Sequence, residues 1–139
     1  MKTQTSIQLG RLWWVGPLTI LAAIVGVLIV RTVARMILQP PYAPGLEMIM
    51  IPIVLTLVLC GGAVLVFAII GRFAKNPVMI FMLVSIVFLF ISFLPDIMVA
   101  SAPFPGGGWQ YAIALMIMHV VAGFITVFML TRLTAEQKA

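Results

Sequence analysis

Four long stretches of the chain are almost free of charged residues, and polar or helix-breaking segments separate them. They cover residues 12–30, 48–71, 77–95 and 109–131. A helix needs about 20 residues to cross the hydrocarbon core of a bilayer, which is about 30 Å thick. Lipid offers no partner to an unpaired backbone amide, and the stretches lack the alternation of a barrel strand. The pattern therefore predicts an all-α membrane protein, a bundle of four transmembrane helices.

The breaks between the stretches place the helix ends. Residues 39–45 contain three prolines and a glycine, and residues 103–108 contain two prolines and three glycines. Neither segment continues a helix. Asn76 and Pro77 are typical of the cap and first residue of a helix. We predict helices at about 12–36, 47–71, 77–98 and 109–132, in a single membrane domain that covers residues 1–139.

Composition supports a membrane protein and argues against other classes. Hydrophobic residues make up 64% of the chain, charged residues 8%, and the mean hydropathy is +1.28. A net charge of +5 invites a nucleic-acid hypothesis, but the basic residues stand singly or in pairs at the ends of apolar runs. We expect contact with the lipid bilayer and none with nucleic acid.

The basic residues also predict the orientation. With four spans, six lysines and arginines fall on one side of the membrane: Lys2, Arg11, Arg72, Lys75, Arg132 and Lys138. The positive-inside rule makes that side cytoplasmic. The expected arrangement is N-in/C-in, with the chain as a multi-pass protein of the bacterial cytoplasmic (inner) membrane.

Four charged residues gather at the opposite end of the predicted bundle. Arg31 and Arg35 are four residues apart and share a face of the first helix, while Glu47 and Asp96 begin and end neighbouring helices. One interpretation is a structural cluster of an arginine with Asp96 or Glu47. The other is a site for an anion or a lipid headgroup, which two guanidinium groups on one face would suit.

A second group of polar residues lies within the predicted spans. Ser85, Ser92 and Asp96 line one face of the third helix, and counting from residue 109 places His119 about 15 Å into the fourth, near the membrane midplane. His119 is expected to donate a hydrogen bond to a serine or a backbone carbonyl. A proton relay through the serines toward Asp96, and ligation of a haem or pigment shared with a partner, are the alternatives.

Metal and cofactor chemistry find little support in the pattern. Cys60 is the only cysteine, and Met116, Met118 and His119 do not converge on one ion because alternate helical residues face different directions. We expect no metal site and no cofactor. Small residues at Ala22 and Gly26, and at positions 60–63, predict close helix contacts.

Three segments carry a resemblance to a known family. They are RLWWVGPLTILAAIVGVLIVRTVA at 11–34, LPDI at 94–97 and ALMIMHVVAGFITVFMLTRL at 114–133. In these segments the chain resembles an uncharacterised family of small bacterial four-span membrane proteins, classed as a domain of unknown function. The resemblance implies four helices and draws attention to Arg31, Asp96 and His119.

Function is predicted from what the short loops leave out. Connections of about ten to fifteen residues hold no soluble domain for catalysis, so we expect a non-enzymatic protein. The first hypothesis is an accessory or structural subunit that associates with other membrane subunits or with itself. The alternative is a small carrier or binding protein for a lipid, a quinone or an anion, using the arginine–aspartate cluster and the midplane histidine.

Overall fold

Four long helices account for most of the computed structural model, which describes residues 6–38, 44–101 and 108–136. The helices are α1 (Leu12–Leu38), α3 (Met50–Phe73), α4 (Pro77–Ala100) and α5 (Trp109–Thr134), and a single turn, α2 (Pro44–Glu47), precedes α3. All four are long and apolar enough to span a membrane. The predicted all-α, four-span architecture of a multi-pass membrane protein is confirmed. Of the predicted breaks at 39–45 and 103–108, residues 39–43 and 103–107 lie outside the described residues, as do Lys2 and Lys138.

The helix ends differ slightly from the predicted ones. Each long helix extends two residues beyond its predicted end, to Leu38, Phe73, Ala100 and Thr134. The second predicted helix begins at Met50 instead of 47, because residues 44–47 form the separate turn α2. Pro95 lies inside α4 without ending it.

A short strand pair that the sequence did not predict ties the two chain ends together. Strand β1 (Ser6–Ile7) pairs antiparallel with β2 (Ala135–Glu136), and the Gln8 amide donates to the Thr134 carbonyl over 3.0 Å. The first and last described residues therefore lie at one end of the bundle, as an even number of spans requires. We call this the terminal end, and the opposite end, which carries Arg31 and Glu47, the distal end.

The helices stand at four corners with one loose edge. Helix α1 packs along α3 and α5, and α4 packs along α5, so that α1 and α4 occupy opposite corners. The edge between α3 and α4 is packed less extensively. It is held at the terminal end by Phe67 and Phe81, whose ring centroids are 4.7 Å apart. The bundle is thus closed at this end and loosens toward the distal end.

Two small buried clusters form the core. Val15, Phe67, Phe81 and Leu130 make the one at the terminal end, and Val27, Leu46 and Met118 make the distal one. Most other apolar side chains face outward, as they do in a protein solvated by lipid. In α4 the buried residues are Pro77, Phe81 and Asp96.

Glycine fixes the closest helix contact and the start of α5. A Cβ on Gly26 would lie 2.7 Å from Ile125 Cδ1 and 3.0 Å from Val121 Cγ1, so α1 and α5 approach through the missing side chain. Gly108 has φ 126°, a conformation that L side chains rarely adopt, and its amide donates to the Val99 carbonyl. The contact predicted at Gly26 is present.

We predict that Gly26→Val separates α1 from α5 and lowers the free energy of unfolding by about 1–3 kcal/mol. Gly61→Val is the matched control, because a Cβ there meets no atom within 4 Å. Unfolding in mixed micelles by added dodecyl sulfate, followed by circular dichroism, measures both. Equal loss of stability in the two variants would contradict the close approach at Gly26.

Candidate polar site and lateral groove

A buried carboxyl group and an imidazole ring meet between α4 and α5. Asp96 Oδ2 lies 3.0 Å from His119 Nδ1, and the two side chains are 6% and 29% exposed. The antiparallel register brings them together, since Leu89 Cδ1 on α4 is also 3.9 Å from the position of a Cβ on Gly123. Ionisable groups within a span are costly unless they find a partner, and each provides one for the other.

Nδ1 of His119 faces two oxygen atoms, and its hydrogen is directed at only one of them. His119 Nδ1 is also 3.0 Å from the Leu115 carbonyl, one turn back in the same helix. Asp96 Oδ2 is fully buried, and no aligned hydrogen bond from the described residues reaches it. We therefore interpret the Asp96 contact as a close polar contact, with the ring N–H directed at Leu115. Together the two oxygen atoms fix the orientation of the ring.

The distal arginines do not join this pair. Arg31 is 7% exposed, and its Nη2 donates over 2.7 Å to the backbone carbonyl of Glu47. Its Nε is buried with no hydrogen-bond partner in the described parts of the chain. Arg35 is exposed. Arg31 is thus a structural tie from α1 to the turn α2.

The cluster expected from the sequence is therefore rearranged. No ion pair joins Arg31 or Arg35 to Asp96 or Glu47 within residues 6–38, 44–101 and 108–136. The physical reason is the packing order: α1 and α4 stand at opposite corners, so Asp96 pairs with a residue of its neighbour α5. Glu47 contributes its main-chain oxygen to Arg31 instead of its carboxylate.

The serines of α4 do not lie between His119 and Asp96 as a relay would need. Ser92 Oγ donates to the Leu89 carbonyl of its own helix over 2.7 Å. Ser85 precedes Asp96 by 11 residues, roughly 16 Å along the helix. His119 contacts Asp96 directly. Its partner on the neighbouring helix is therefore this carboxyl group, where a serine or a backbone carbonyl was expected.

The neighbouring helices place His119 along the bundle. Gly26 of α1 faces Val121 and Ile125, so His119 lies roughly level with Arg31, within about one turn of it. Asp96 is four residues before the end of α4 at Ala100. The pair therefore lies nearer the distal end of the bundle than the terminal end, and the depth of His119 in a membrane stays a prediction.

A lateral groove of about 280 Å³ runs beside this pair, between α3, α4 and α5. Its walls are mostly aliphatic and aromatic, and its polar members are Cys60, Ser85, Ser92, His119 and Thr126. Cys60 Sγ and Thr126 Oγ1 are 3.3 Å apart and satisfy each other across the groove's floor.

Sequence reasoning missed the groove because it interpreted the same small residues as contacts. A Cβ on Gly61 or Gly62 would meet no atom within 4 Å, so the thin part of α3 faces open space where a close contact was expected. Gly62 and Gly123 both line the groove. The sequence signal for the groove is a run of small residues in one helix opposite a glycine in another. The same pattern also occurs where helices pack closely, so it does not distinguish a groove from a contact.

Comparison with known proteins gives a family and nothing finer. The profile described as "Family of unknown function (DUF6069)" matches residues 7–136, nearly the whole chain. This confirms the resemblance to an uncharacterised family. No curated protein and no solved structure matches the chain.

We predict that Asp96 and His119 are strongly coupled in stability. His119→Leu leaves a buried carboxyl group without its partner and should lower the free energy of unfolding by about 3 kcal/mol. The double variant Asp96→Leu/His119→Leu, which removes both polar groups, should be closer to wild type than His119→Leu alone. Dodecyl sulfate unfolding of the single and double variants gives the coupling; strictly additive losses would show that the pair does not interact.

Proposed function

We propose that this chain, which belongs to the DUF6069 family of unknown function, is a membrane-embedded binding protein for a lipid-soluble ligand held in the lateral groove. The groove between α3, α4 and α5 is the observation that carries the proposal. It favours the binding or carrier hypothesis over the accessory role that came first from the sequence. The proposal assigns no chemical reaction to the chain, and Ser92, bonded to its own helix, supports none.

The position and lining of the groove support a ligand that arrives from the bilayer. It follows the loosely packed edge of the bundle, where α3 and α4 leave an opening toward lipid. Its apolar walls suit a hydrocarbon body, and the polar His119 suits a single hydrogen-bonding group. Binding pockets for small molecules commonly combine an apolar lining with a few placed polar groups.

Association with other membrane subunits or with a second copy is the other candidate. The small residues Gly61 and Gly62 face open space on α3, and small-residue surfaces are typical of helix contacts in membranes. A partner helix would then cover the edge that the ligand proposal leaves to lipid. The experiment below separates these two occupants.

We expect the protein purified in nanodiscs from its own membranes to retain a small lipid-soluble molecule, visible in native mass spectrometry as an added mass. Gly123→Leu should fill the groove and remove that mass, because its side chain projects toward Leu89. Gly61→Leu, which lies outside the lining, should retain it. Absence of an added mass from the wild type, or its persistence in Gly123→Leu, would contradict the proposal. A second protein chain lost only in the Gly61 variant would favour association.

We also propose that the terminal end lies in the cytoplasm and that the membrane is the bacterial inner membrane. Arg11, Arg72, Lys75 and Arg132 are all at the terminal end, and the positive-inside rule supports that orientation.

In a Cys60→Ser background, a membrane-impermeant maleimide applied to spheroplasts should label Ser101→Cys at the distal end. Lys75→Cys, which is equally exposed in the α3–α4 turn, should react only after lysis. The reverse pattern would invert the orientation.

A further inference from the structure

We infer that the ligand of the lateral groove is an isoprenoid quinone or its quinol, held by a hydrogen bond between one ring oxygen and Nε2 of His119. The inference rests on the proposed function, since it requires that the groove bind a ligand. It concerns binding and assigns no electron transfer to the chain.

One nitrogen of His119 remains for a ligand. Nδ1 is held by the Leu115 carbonyl and by Asp96. Within the described residues no hydrogen bond involves Nε2, and the ring lines the groove. A histidine whose one nitrogen is fixed by a carboxylate or carbonyl presents the other in a defined direction, as metal-bound and catalytic histidines do.

The hydrogen bonds that Nε2 makes depend on which ring nitrogen carries the hydrogen. The Leu115 carbonyl at Nδ1 can only accept, so the neutral ring carries its hydrogen on Nδ1. Nε2 of the neutral ring then accepts a hydrogen bond, which suits the hydroxyl of a quinol. When the ring is protonated beside Asp96, Nε2 donates, which suits the carbonyl of a quinone. The two ring states therefore match the two redox forms of one ligand.

The residues of the groove disfavour a charged headgroup. The residues that line the groove, all within the described part of the chain, include no lysine or arginine. Arg31 is committed to the Glu47 carbonyl, and Arg35 lies on α1, which contributes no wall. A phosphate buried without a cation would be strongly disfavoured. The head of the ligand is therefore neutral and makes few hydrogen bonds.

The shape and lining of the groove suit a flat ring with an apolar tail. Ser92 lies one turn from Asp96, roughly 6 Å along α4, and its Oγ keeps lone pairs beyond the hydrogen bond it donates to Leu89. Gly123 lines the groove opposite Leu89 and presents no side chain to it. The rest of the lining is mostly apolar, at residues such as Val58, Val66 and Val84. Of its other polar members, Cys60 and Thr126 satisfy each other, and Ser85 adds a single hydroxyl. The polar ring of His119 beside mostly apolar walls suits a ring followed by an isoprenoid chain.

The test compares two probes in nanodiscs by calorimetric titration, with empty discs to correct for partition into lipid. One probe is a benzoquinone with a ten-carbon alkyl tail, and the other is a benzene with the same tail and no oxygen. The wild type should bind the quinone about tenfold more tightly, the ratio that one buried hydrogen bond supports. His119→Leu should remove this preference, whereas Ser85→Ala, a polar wall position distant from His119, should retain it.

Further variants keep the test decisive if His119→Leu does not fold. Asp96→Asn replaces the carboxyl group that contacts the ring and should reduce the preference for the quinone, and Ser92→Ala should reduce it by about threefold. Both preserve the size of the side chain closely, and circular dichroism confirms their folding. A preference unchanged in all variants that fold would overturn the inference.

The failure of this inference is distinguishable from the failure of the groove itself. If Gly123→Leu blocks both probes while loss of His119 or of Asp96 leaves their ratio unchanged, the groove binds ligands but His119 does not select a quinone. If Gly123→Leu affects neither probe, the proposed function fails as well. A haem-type absorption band in the purified wild type, lost in His119→Leu, would also overturn the quinone assignment.

Discussion

Every other feature of this protein depends on the absence of hydrogen-bonding solvent in the hydrocarbon core. A backbone amide in lipid has to find its partner within its own helix, so long apolar stretches form helices whatever their individual propensities. The same constraint acts on side chains. A carboxyl group such as that of Asp96 is tolerated within a span only if a neighbouring element provides a polar partner. His119 provides one, with Nδ1 3.0 Å from the carboxyl oxygen.

Because lipid is as apolar as leucine, the helices gain little from burying apolar surface against one another, and fine steric fit decides where they touch. Gly26 lets α1 and α5 approach closely, and the Phe67–Phe81 contact closes α3 against α4 at the terminal end. Beyond that contact, Gly62 of α3 and Gly123 of α5 line a groove that opens toward the bilayer.

The polar residues then divide into structural and available groups. Arg31 joins α1 to α2 through the Glu47 carbonyl, and Cys60 and Thr126 satisfy each other. In the Asp96–His119 pair, one carboxyl oxygen and one backbone carbonyl contact Nδ1. The rest of the ring borders the groove and remains available to a ligand. A polar atom fixed in direction beside an apolar cavity is the arrangement on which ligand selection depends.

The sequence by itself determined the number of spans, the helix ends to within about three residues and the place of Asp96 and His119 within the helices, because bilayer thickness and the cost of buried charge act on local sequence. It did not determine which charged residues pair. Arg31, Glu47 and Asp96 have compatible chemistry and predicted depth, and only the corner positions of α1 and α4 separate them. The groove was decided in the same way. Glycine favours either a close contact or an open space, and the choice at Gly26 and at Gly62 depends on side chains from helices distant in sequence. The local sequence determines which residues each helix contains, whereas the packing of the helices against one another determines which residues come into contact.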